Sequence, residues 1–201
     1  MAGRADRFPR VEPQSGWSMS RRTWLMSAAS LLAGAAIVGT SRSGGAAQSS
    51  ADLVIEKFSP DGKSLGTVHV PKVVMSDADW KKKLSDSLTY EVTRHEDTER
   101  PFTGSLLENH KTGIYTCICC DTALFDSATK FESGTGWPSF YQPIAKTNVH
   151  EISDRTFGMV RTAVACARCE SHLGHVFDDG PKPTGLRYCM NSVSLKFVPR
   201  A

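Results

Sequence analysis

The arrangement of the cysteines constrains the fold of this chain more than any other feature of its sequence. Four of the six form two C-x-x-C pairs, Cys117 with Cys120 and Cys166 with Cys169, and 45 residues separate the pairs. This spacing is typical of two turns that donate four thiolates to one tetrahedral zinc ion. Such a site is structural, because four thiolates leave no position open for water or substrate. The sequence therefore predicts a domain folded around a four-cysteine zinc site.

Two questions about this site stay open at the level of spacing. In an exported protein, the same cysteines could form a disulfide framework instead. The first pair also encloses a third cysteine, Cys119, and either Cys119 or Cys120 could act as the second ligand of that turn. We favour zinc, because C-x-x-C turns separated by a long insert suit a shared metal better than two local disulfides.

The positive charge of the chain is concentrated in residues 1–47. That segment holds six arginines and two acidic residues, so the rest of the chain carries a net charge of −1 although the whole carries +3. A nearly neutral body argues against nucleic-acid binding, which depends on clustered lysine and arginine. The apolar content of 40% argues against a disordered chain and predicts one globular domain after this segment.

The same segment has the pattern of an export signal. Residues 19–47 begin with charge, continue through an uncharged run from Ser27 to Thr40 and end in small residues. Arg21 and Arg22 precede a polar and two apolar residues, as in twin-arginine signals. We predict a twin-arginine-type signal peptide at 1–47 and a periplasmic mature chain without stable membrane association. The alternative is an uncleaved signal that anchors the protein in the inner membrane.

The mature chain divides into an N-terminal extension at 48–75 and a domain at 76–201. Two β-rich runs flank a turn cluster at 59–62, which predicts a hairpin across 52–74. A capping-box pattern ahead of apolar residues four apart predicts one short helix over roughly 76–88. Farther along, glycines interrupt short runs that have no long helical period, so we expect a mainly β domain.

The sixth cysteine, Cys189, lies apart from the pairs in the run from Gly185 to Phe197. If this run is one strand, its period of two places Arg187 and Asn191 on the same face as Cys189, with apolar residues farther along that face. A neighbouring arginine favours the thiolate, which is the nucleophilic form of cysteine. A buried structural cysteine is the alternative interpretation.

Two further segments contain candidate site residues. His172 and His175 follow the second C-x-x-C pair directly, so a metal turn would fix both imidazoles, and imidazoles transfer protons near neutral pH. One histidine could instead bind zinc, or both could lie at the surface. Trp137 in the glycine-rich loop 133–140 is either a contact for an apolar or thioether group or a residue of the core.

These segments together resemble the methionine-R-sulfoxide reductases of the B class, over residues from about Trp80 to Pro199. The resemblance is specific because several spaced motifs occur in the family's order. They are Thr98-Glu99-Arg100-Pro101-Phe102, Gly113-Ile114-Tyr115-Thr116-Cys117 with Cys120, Ser133-Gly134 with Gly136-Trp137-Pro138-Ser139-Phe140, Cys166 with Cys169, His172-Leu173-Gly174-His175-Val176-Phe177, and Arg187-Tyr188-Cys189 with Asn191-Ser192.

The resemblance implies a mainly β fold of two small twisted antiparallel sheets, with short peripheral helices and a structural four-cysteine zinc site remote from the active centre. It implies that Cys189 is the nucleophile, which attacks the sulfur of an R-configured methionine sulfoxide and becomes a sulfenic acid. The other site residues that it implies are His172, His175, Asn191 and Arg187 as catalytic groups, and Trp137 and Asp179 as substrate-binding groups.

One position departs from the most familiar pattern of this family. Many members have a resolving cysteine just before the Gly-Trp-Pro motif, where this chain has Thr135, so an internal disulfide by that route is impossible. Cys119 belongs to a metal turn that the family keeps away from the active site. The partners implied are therefore oxidised protein substrates and an external thiol reductant of the thioredoxin type.

Two functions of other kinds compete with this interpretation. A non-catalytic zinc-ribbon module that binds a partner protein would tolerate replacement of Cys189, but it leaves Arg187, Asn191 and the paired histidines unexplained. A thiol-disulfide oxidoreductase that uses the C-x-x-C pairs would contain no metal and would carry a reducible disulfide.

Overall fold

The structure is a computed structural model that describes residues 52–154 and 161–200. The export signal predicted at 1–47 lies outside these residues. In the part of the chain that is described, no helix is long and apolar enough to cross a membrane. The strands are β1 (Asp52–Phe58), β2 (Ser64–Pro71), β3 (Gly113–Cys117), β4 (Ala123–Asp126), β5 (Lys130–Phe131), β6 (Ser139–Phe140), β7 (Val149–Asp154), β8 (Arg161–Cys166), β9 (His172–Phe177), β10 (Arg187–Met190) and β11 (Leu195–Pro199), and the helices are α1 (Asp77–Lys83) and α2 (Ser87–His95).

β1 and β2 pair in an antiparallel hairpin, as the sequence predicts for 52–74. Gly62 closes the turn by donating its N–H to the Ser59 carbonyl at 2.8 Å, with a φ of 82° that glycine adopts without strain. The buried side chain of Asn148 fastens the hairpin to the domain. It accepts the Glu56 N–H and donates to the Glu56 carbonyl, both at 2.8 Å. An amide side chain thus replaces a neighbouring strand as the partner of β1 at this point.

The helix predicted over 76–88 is in fact two helices, α1 and α2. Ser76 caps α1, as the capping-box pattern predicts. Leu84 ends that helix with a non-helical backbone, and the side chain of Asp86 then accepts the Thr89 N–H as the cap of a second helix. The four-residue apolar spacing continues through this break. The local cap nevertheless decides the structure, because it satisfies backbone N–H groups that only a helix start leaves unpaired.

The strands of the described chain form a six-stranded sheet, a three-stranded sheet and the hairpin, all with antiparallel pairing. The order of the larger sheet is β5-β6-β10-β9-β8-β7, and that of the smaller sheet is β11-β3-β4. The predicted mainly β fold with antiparallel sheets and short helices is confirmed. β10 lies inside the larger sheet, so hydrogen bonds on both edges hold its residues in place.

An aromatic core lies between the two sheets. Tyr115 and Phe125 of the smaller sheet meet Phe140 and Tyr188 of the larger one, and all four are at most 2% exposed. The rings of Phe125 and Phe140 stack at 4.5 Å, while those of Tyr115 and Phe140 meet edge to face at 5.0 Å. Burial of each such ring contributes roughly 1.5–3 kcal/mol. Because Tyr188 points into this core, its neighbour Cys189 points to the opposite face of β10.

The run from Gly185 to Phe197 is not the single strand that the sequence allows. β10 ends at Met190, a 3₁₀ turn follows at Ser192–Ser194, and β11 then joins the smaller sheet. At the turn, the Ser192 N–H donates to the buried carboxylate of Glu99 at 2.7 Å. The Glu99 side chain therefore accepts the hydrogen bond of a backbone N–H that has no partner strand. The apolar residues of β11 consequently belong to a different sheet from the polar residues of β10.

Candidate active site and metal centre

The two C-x-x-C segments form turns with the same hydrogen-bond pattern. In each turn, the first cysteine donates its N–H to the carbonyl five residues later and accepts the N–H of the residue four positions later, at 2.8–2.9 Å. The residue after each pair, Asp121 or Glu170, has a left-handed backbone with φ of 59° or 56°. This repeated geometry directs the sulfurs of both turns towards one point.

The sulfur atoms of Cys117, Cys120, Cys166 and Cys169 all lie within 4.8 Å of one another. Cys117 and Cys169 are 3.6 Å apart, and Cys120 and Cys166 are 3.5 Å apart. Four sulfurs placed tetrahedrally about 2.3 Å from a zinc ion would be roughly 3.8 Å apart, so the donor set fits this metal. Hydrogen bonds with neighbouring cysteines, Cys119 first, and burial raise the pKa of Cys117, so a bound metal would have to displace protons. The four predicted ligands can hold a metal ion.

Cys119 lies outside this four-sulfur cluster. Its side chain is buried, and its Sγ contacts the Ser171 Oγ at 3.5 Å. The geometry therefore selects Cys120 over Cys119 as the second ligand of the first turn. All six cysteines are free thiols, so the alternative of a disulfide framework is not what the structure contains.

Hydrogen bonds connect the helices α1 and α2 to the two C-x-x-C turns that could hold the metal, which we call the metal turns. Lys83 Nζ donates to the carbonyl of Cys119 at 2.7 Å, and Arg94 Nη1 donates to the carbonyl of Cys169 at 3.0 Å. Both cations also lie over the ring of Trp80, at 5.4 and 4.7 Å from its centroid. The metal turns thus anchor the segment that leads through α2 to the residues of the cleft described next.

Cys189 lies in the middle of β10, on the face turned away from the core. It is opposite Ser139 of β6 on one side and opposite His175 of β9 on the other. β9 approaches closely here because it has a glycine at position 174. A Cβ atom on Gly174 would lie 2.1 Å from the Cys189 carbonyl oxygen, so no larger residue fits at position 174.

The Cys189 side chain, which is half-buried, borders a cleft of about 240 Å³. This volume is below the roughly 300–1,000 Å³ of pockets that hold drug-sized ligands, so the cleft suits one side chain better than a large cofactor. Two aromatic residues and one imidazole form its walls. The lining residues are Thr98, Trp137, Gly174, His175, Phe177, Cys189 and Asn191.

The two predicted histidines hold different positions relative to this cleft. His175 lines it, whereas His172 is 4% exposed and does not. Their rings meet edge to face with centroids 5.3 Å apart. Leu173 is an extra residue in the pairing of β9 with β8, and this bulge changes the alternation of side chains between the two histidines. His175 is therefore the imidazole that a ligand in the cleft would meet, and His172 supports its ring.

Arg187 and Asp179 form a two-point ion pair beside the cleft. The Nε and Nη2 of Arg187 each donate to one carboxylate oxygen of Asp179 at 2.8 Å. These hydrogen bonds are the main cause that lowers the pKa of Asp179 and raises the pKa of Arg187. Neither residue lines the cleft. The guanidinium lies 4.3 Å from the ring centroid of Phe177, so the pair braces one aromatic wall.

Glu99 connects two walls of the cleft. Its N–H donates to Asn191 Oδ1 at 2.9 Å, and its carbonyl accepts the Trp137 Nε1–H at 2.9 Å. Asn191 Nδ2 donates in turn to the Leu173 carbonyl at 3.1 Å. Glu99 is only 3% exposed, and burial raises the pKa of its carboxyl group. Trp137 and Asn191 are thus oriented by one buried residue.

Thr135 lies directly beside Cys189. Its Oγ1 is 3.6 Å from the Cys189 Sγ and 2.8 Å from the Oγ of Ser133. The Ser133 Oγ is 2.7 Å from the Oγ of Ser139, which is fully buried. A row of three hydroxyl groups therefore ends at the sulfur of Cys189.

Sequence reasoning found the centre of the cleft and missed part of its surroundings. The structure brings four predicted residues into its lining, namely Cys189, His175, Asn191 and Trp137, whereas His172, Arg187 and Asp179 flank it. Thr98, Glu99 and Phe177 were assigned no role, and their only signal was their place in motifs quoted for the resemblance. The site as a whole combines a partly exposed thiol with an imidazole, an amide and aromatic walls, which suits covalent chemistry on a small polar group carried by an apolar side chain.

Comparisons with known proteins agree with this geometry. A model of the SelR domain matches residues 85–199. The chain belongs to the methionine sulfoxide reductase B family. The peptide methionine sulfoxide reductase MsrB of Herminiimonas arsenicoxydans is 56% identical over 126 residues, which cover 63% of this chain and 91% of that protein.

The homologue of the same name from Pseudomonas savastanoi pv. phaseolicola is 57% identical over 122 residues, covering 61% of this chain and 92% of its own length. That from Hahella chejuensis is 52% identical over 126 residues, covering 63% and 90%. The resemblance inferred from the motifs is confirmed. The hairpin β1–β2 and helix α1 precede the segment that matches the SelR domain of this family.

Proposed function

We propose that this protein reduces the R epimer of methionine sulfoxide to methionine, with Cys189 as the nucleophile. The observation that carries the proposal is the half-buried thiol of Cys189 in a small cleft between Trp137 and Phe177. Aromatic walls suit the methyl group of the sulfoxide, and His175 and Asn191 offer polar groups to its oxygen. The names of the relatives, peptide methionine sulfoxide reductases, support the same reaction here.

In the proposed reaction, the Cys189 thiolate attacks the sulfur of the sulfoxide. This attack forms a bond between the two sulfurs. That bond and the S–O bond of the sulfoxide then break as the oxygen passes to Cys189, and one proton is taken up, giving methionine and a Cys189 sulfenic acid. The methionine sulfur gains the two electrons that the cysteine sulfur loses. His175, supported by His172, delivers the proton, while Asn191 orients the oxygen.

The ion pair of Arg187 and Asp179 has two roles in this proposal. The guanidinium adds positive charge near the sulfur of Cys189, the atom that carries the negative charge of the attacking group. Asp179 holds the guanidinium in place by its two hydrogen bonds. The pair also fixes Phe177, so Asp179 contributes to substrate binding through the aromatic wall rather than by lining the cleft.

We propose that Cys117, Cys120, Cys166 and Cys169 hold one structural zinc ion. Four thiolates leave no coordination position for substrate, so the metal takes no part in the reaction. Its contribution is to the free energy of folding.

The sulfenic acid is proposed to be reduced by an external thiol, such as that of a thioredoxin-like protein. Thr135 places a hydroxyl, not a thiol, beside Cys189, and Cys119 is 1% exposed. The external thiol displaces water to form a mixed disulfide, and a second thiol releases Cys189. The substrates are proposed to be oxidised exported proteins, met in the periplasm after export by the twin-arginine-type signal, with an inner-membrane anchor as the alternative.

The proposed function is tested by steady-state turnover of the separated R and S epimers of a blocked methionine sulfoxide, with dithiothreitol as reductant. We expect methionine from the R epimer only, with at least about a hundredfold preference, because the cleft presents an aromatic wall to one substituent and polar groups to another. Failure to reduce either epimer by a zinc-containing protein would favour the non-catalytic zinc module.

A further inference from the structure

The hydrogen bonds in the row of hydroxyl groups beside Cys189 can run in two directions, because either atom of each pair can be the donor. The Ser139 Oγ has two acceptors within reach, the Trp137 carbonyl at 3.1 Å and the Ser133 Oγ at 2.7 Å. Each hydroxyl carries one proton and can accept from a neighbour. The acceptor to which the Ser139 hydroxyl donates therefore determines the direction of all the hydrogen bonds in the row.

In the first direction, Ser139 donates to the Trp137 carbonyl. Ser133 then donates to Ser139, Thr135 donates to Ser133, and the S–H of Cys189 donates to Thr135. In the second direction, Ser139 donates to Ser133, Ser133 donates to Thr135, and Thr135 donates to the sulfur of Cys189. The first direction suits the thiol and the second suits the thiolate, and neither brings two protons together.

We propose that Ser139, Ser133 and Thr135 form a hydroxyl chain that donates a hydrogen bond to the Cys189 thiolate and, after oxygen transfer, to the oxygen of its sulfenic acid. The second part of this proposal rests on the proposed function. Thr135 thus contributes a hydrogen-bond donor to the reacting sulfur, and Ser133 and Ser139 determine its direction.

The burial of the chain favours this role over chance proximity. Ser139 is fully buried on β6, directly opposite Cys189 in the sheet, while Ser133 and Thr135 are half-buried in the loop that follows β5. The Thr135 N–H also points to the Ser133 Oγ at 3.4 Å. Hydrogen bonds among groups shielded from water are stronger than those at an exposed surface. The chain is therefore a structured environment for the sulfur.

Other charged groups also influence this thiol and must be kept constant in a test. On its own strand, Arg187 lies two residues away and is paired with Asp179 of the loop after β9. On β9, His175 is opposite Cys189 and His172 packs behind it. The tests below change none of these residues.

The test compares Thr135→Val, which removes the hydroxyl at nearly constant volume, with Thr135→Ser, which keeps it. The measurement is the rate of Cys189 alkylation by iodoacetamide as a function of pH, in the metal-containing protein, followed by mass spectrometry of the Cys189 peptide. We expect the midpoint of the pH profile to rise by about one unit in Thr135→Val, because a hydrogen bond to a charged group stabilises it by about tenfold or more. Thr135→Ser should retain the wild-type midpoint.

Two further variants extend this test. Ser133→Ala should raise the midpoint in the same direction by a smaller amount, since it removes the second link of the chain. Thr184→Val provides a matched control, because the Thr184 hydroxyl donates to the Tyr141 carbonyl and is not part of the chain. Its profile should superimpose on that of the wild type. Metal content and melting temperature identify any variant that is misfolded, and Thr135→Ala replaces Thr135→Val if the valine does not fit.

The second measurement is the single-turnover rate with the R sulfoxide, where Thr135→Val should be about tenfold slower and Thr135→Ser close to wild type. A Thr135→Val profile identical to that of the wild type would overturn the proposal, as would failure of Thr135→Ser to restore it. If Ser133→Ala leaves the pH profile unchanged, Ser133 does not direct the Thr135 hydroxyl, and the proposed hydroxyl chain is wrong. Alkylation does not require sulfoxide reduction, so this measurement tests the hydrogen bond to Cys189 even in a protein that does not reduce the sulfoxide. Failure of the proposed function and failure of the hydroxyl chain can therefore be told apart.

Discussion

The four-cysteine cluster and the cleft use the same side chain in opposite environments. In the cluster, four cysteine sulfurs lie within 4.8 Å of one another, and three of these residues are fully buried at the ends of turns. In the cleft, Cys189 is the one cysteine on its strand, and its sulfur faces a hydroxyl group, aromatic walls and an imidazole. The four clustered sulfurs can bind one cation together, whereas the sulfur of Cys189 is accessible to a molecule that enters the cleft.

This difference shows how one fold separates two uses of thiol chemistry. Thiolates that share a metal are held by several partners at once, so they are poor nucleophiles towards a substrate. A single thiol on a strand paired at both edges is fixed in position but has free access from one side. The two regions are nevertheless linked, because α1 and α2 are bound to the metal turns and lead to Glu99 at the cleft.

The largest expected effect comes from Cys189→Ser, which removes the proposed nucleophile. Turnover of the R sulfoxide should fall by at least about 1,000-fold, because a hydroxyl is a far weaker nucleophile than a thiolate. The metal content should stay at one per chain, and the melting temperature should change by less than about 2 °C. Assays of activity, zinc and thermal unfolding on one preparation check all three. Residual activity near that of the wild type would assign the nucleophile to another residue.

Cys169→Ser should lose the metal and unfold at a lower temperature, whereas Cys189→Ser should retain both the metal and the melting temperature. Removing one of four ligands breaks a site that can supply on the order of 10 kcal/mol of folding free energy, so metal should be lost and the melting temperature should fall by more than about 10 °C. Cys119→Ser is the matched control, since Cys119 lies in the same turn but outside the cluster, and it should retain the metal. Equal melting temperatures for Cys169→Ser and the wild type would refute the structural role of the metal.

Trp137→Ala tests whether the aromatic wall acts on substrate rather than on stability. We expect kcat/KM for the R sulfoxide to fall by about a hundredfold, because the indole is the larger of the two aromatic walls. Trp137→Phe should lose about fivefold, since it keeps an aromatic ring but not the hydrogen bond to the Glu99 carbonyl. Steady-state kinetics of both variants provide the comparison. Similar losses in the two would indicate that the hydrogen bond, not the ring, determines binding.

Thr135→Cys would place a second thiol beside Cys189, so the cleft, like the four-cysteine cluster, would contain neighbouring sulfurs. The Thr135 Oγ1 is 3.6 Å from the Cys189 Sγ, so a thiol at 135 should attack the sulfenic acid and give an intramolecular disulfide and water. Mass spectrometry after one turnover should show one disulfide between residues 135 and 189. Detection of sulfenic acid alone would show that the loop holds residue 135 out of reach.

The smallest effect is expected for Glu99→Gln. Burial raises the pKa of Glu99 above its ordinary value of 4.5, so the charged carboxylate lowers the free energy of unfolding at neutral pH. Glutamine can still accept the Ser192 N–H, and the melting temperature at pH 7 should rise by on the order of 2 °C, which corresponds to a fraction of 1 kcal/mol. The difference from the wild type should disappear as the pH falls towards 4.5. A lower melting temperature at pH 7 would show that the charge itself is needed.

The sequence predicted features that depend on local pattern and on spacing. The metal ligands followed from two C-x-x-C pairs, and the shared face of Arg187 and Cys189 followed from the alternation of β10. The break between the helices did not, because the Asp86 cap competes with an apolar spacing that runs through it. Proximity of residues 54 positions apart, such as Thr135 and Cys189, depends on sheet order, so it was implied by the family resemblance and not by any local pattern.

We expect one of the six cysteines to react with substrate and four others to hold the metal. This expectation is tested most directly by mixing reduced protein with one equivalent of the R sulfoxide in the presence of dimedone, which labels sulfenic acids, and then mapping the label and measuring bound zinc. We expect label on Cys189 alone and one zinc ion retained per chain. Label on Cys119, or label on one of the four clustered cysteines with release of zinc, would show that another thiol reacts with the sulfoxide.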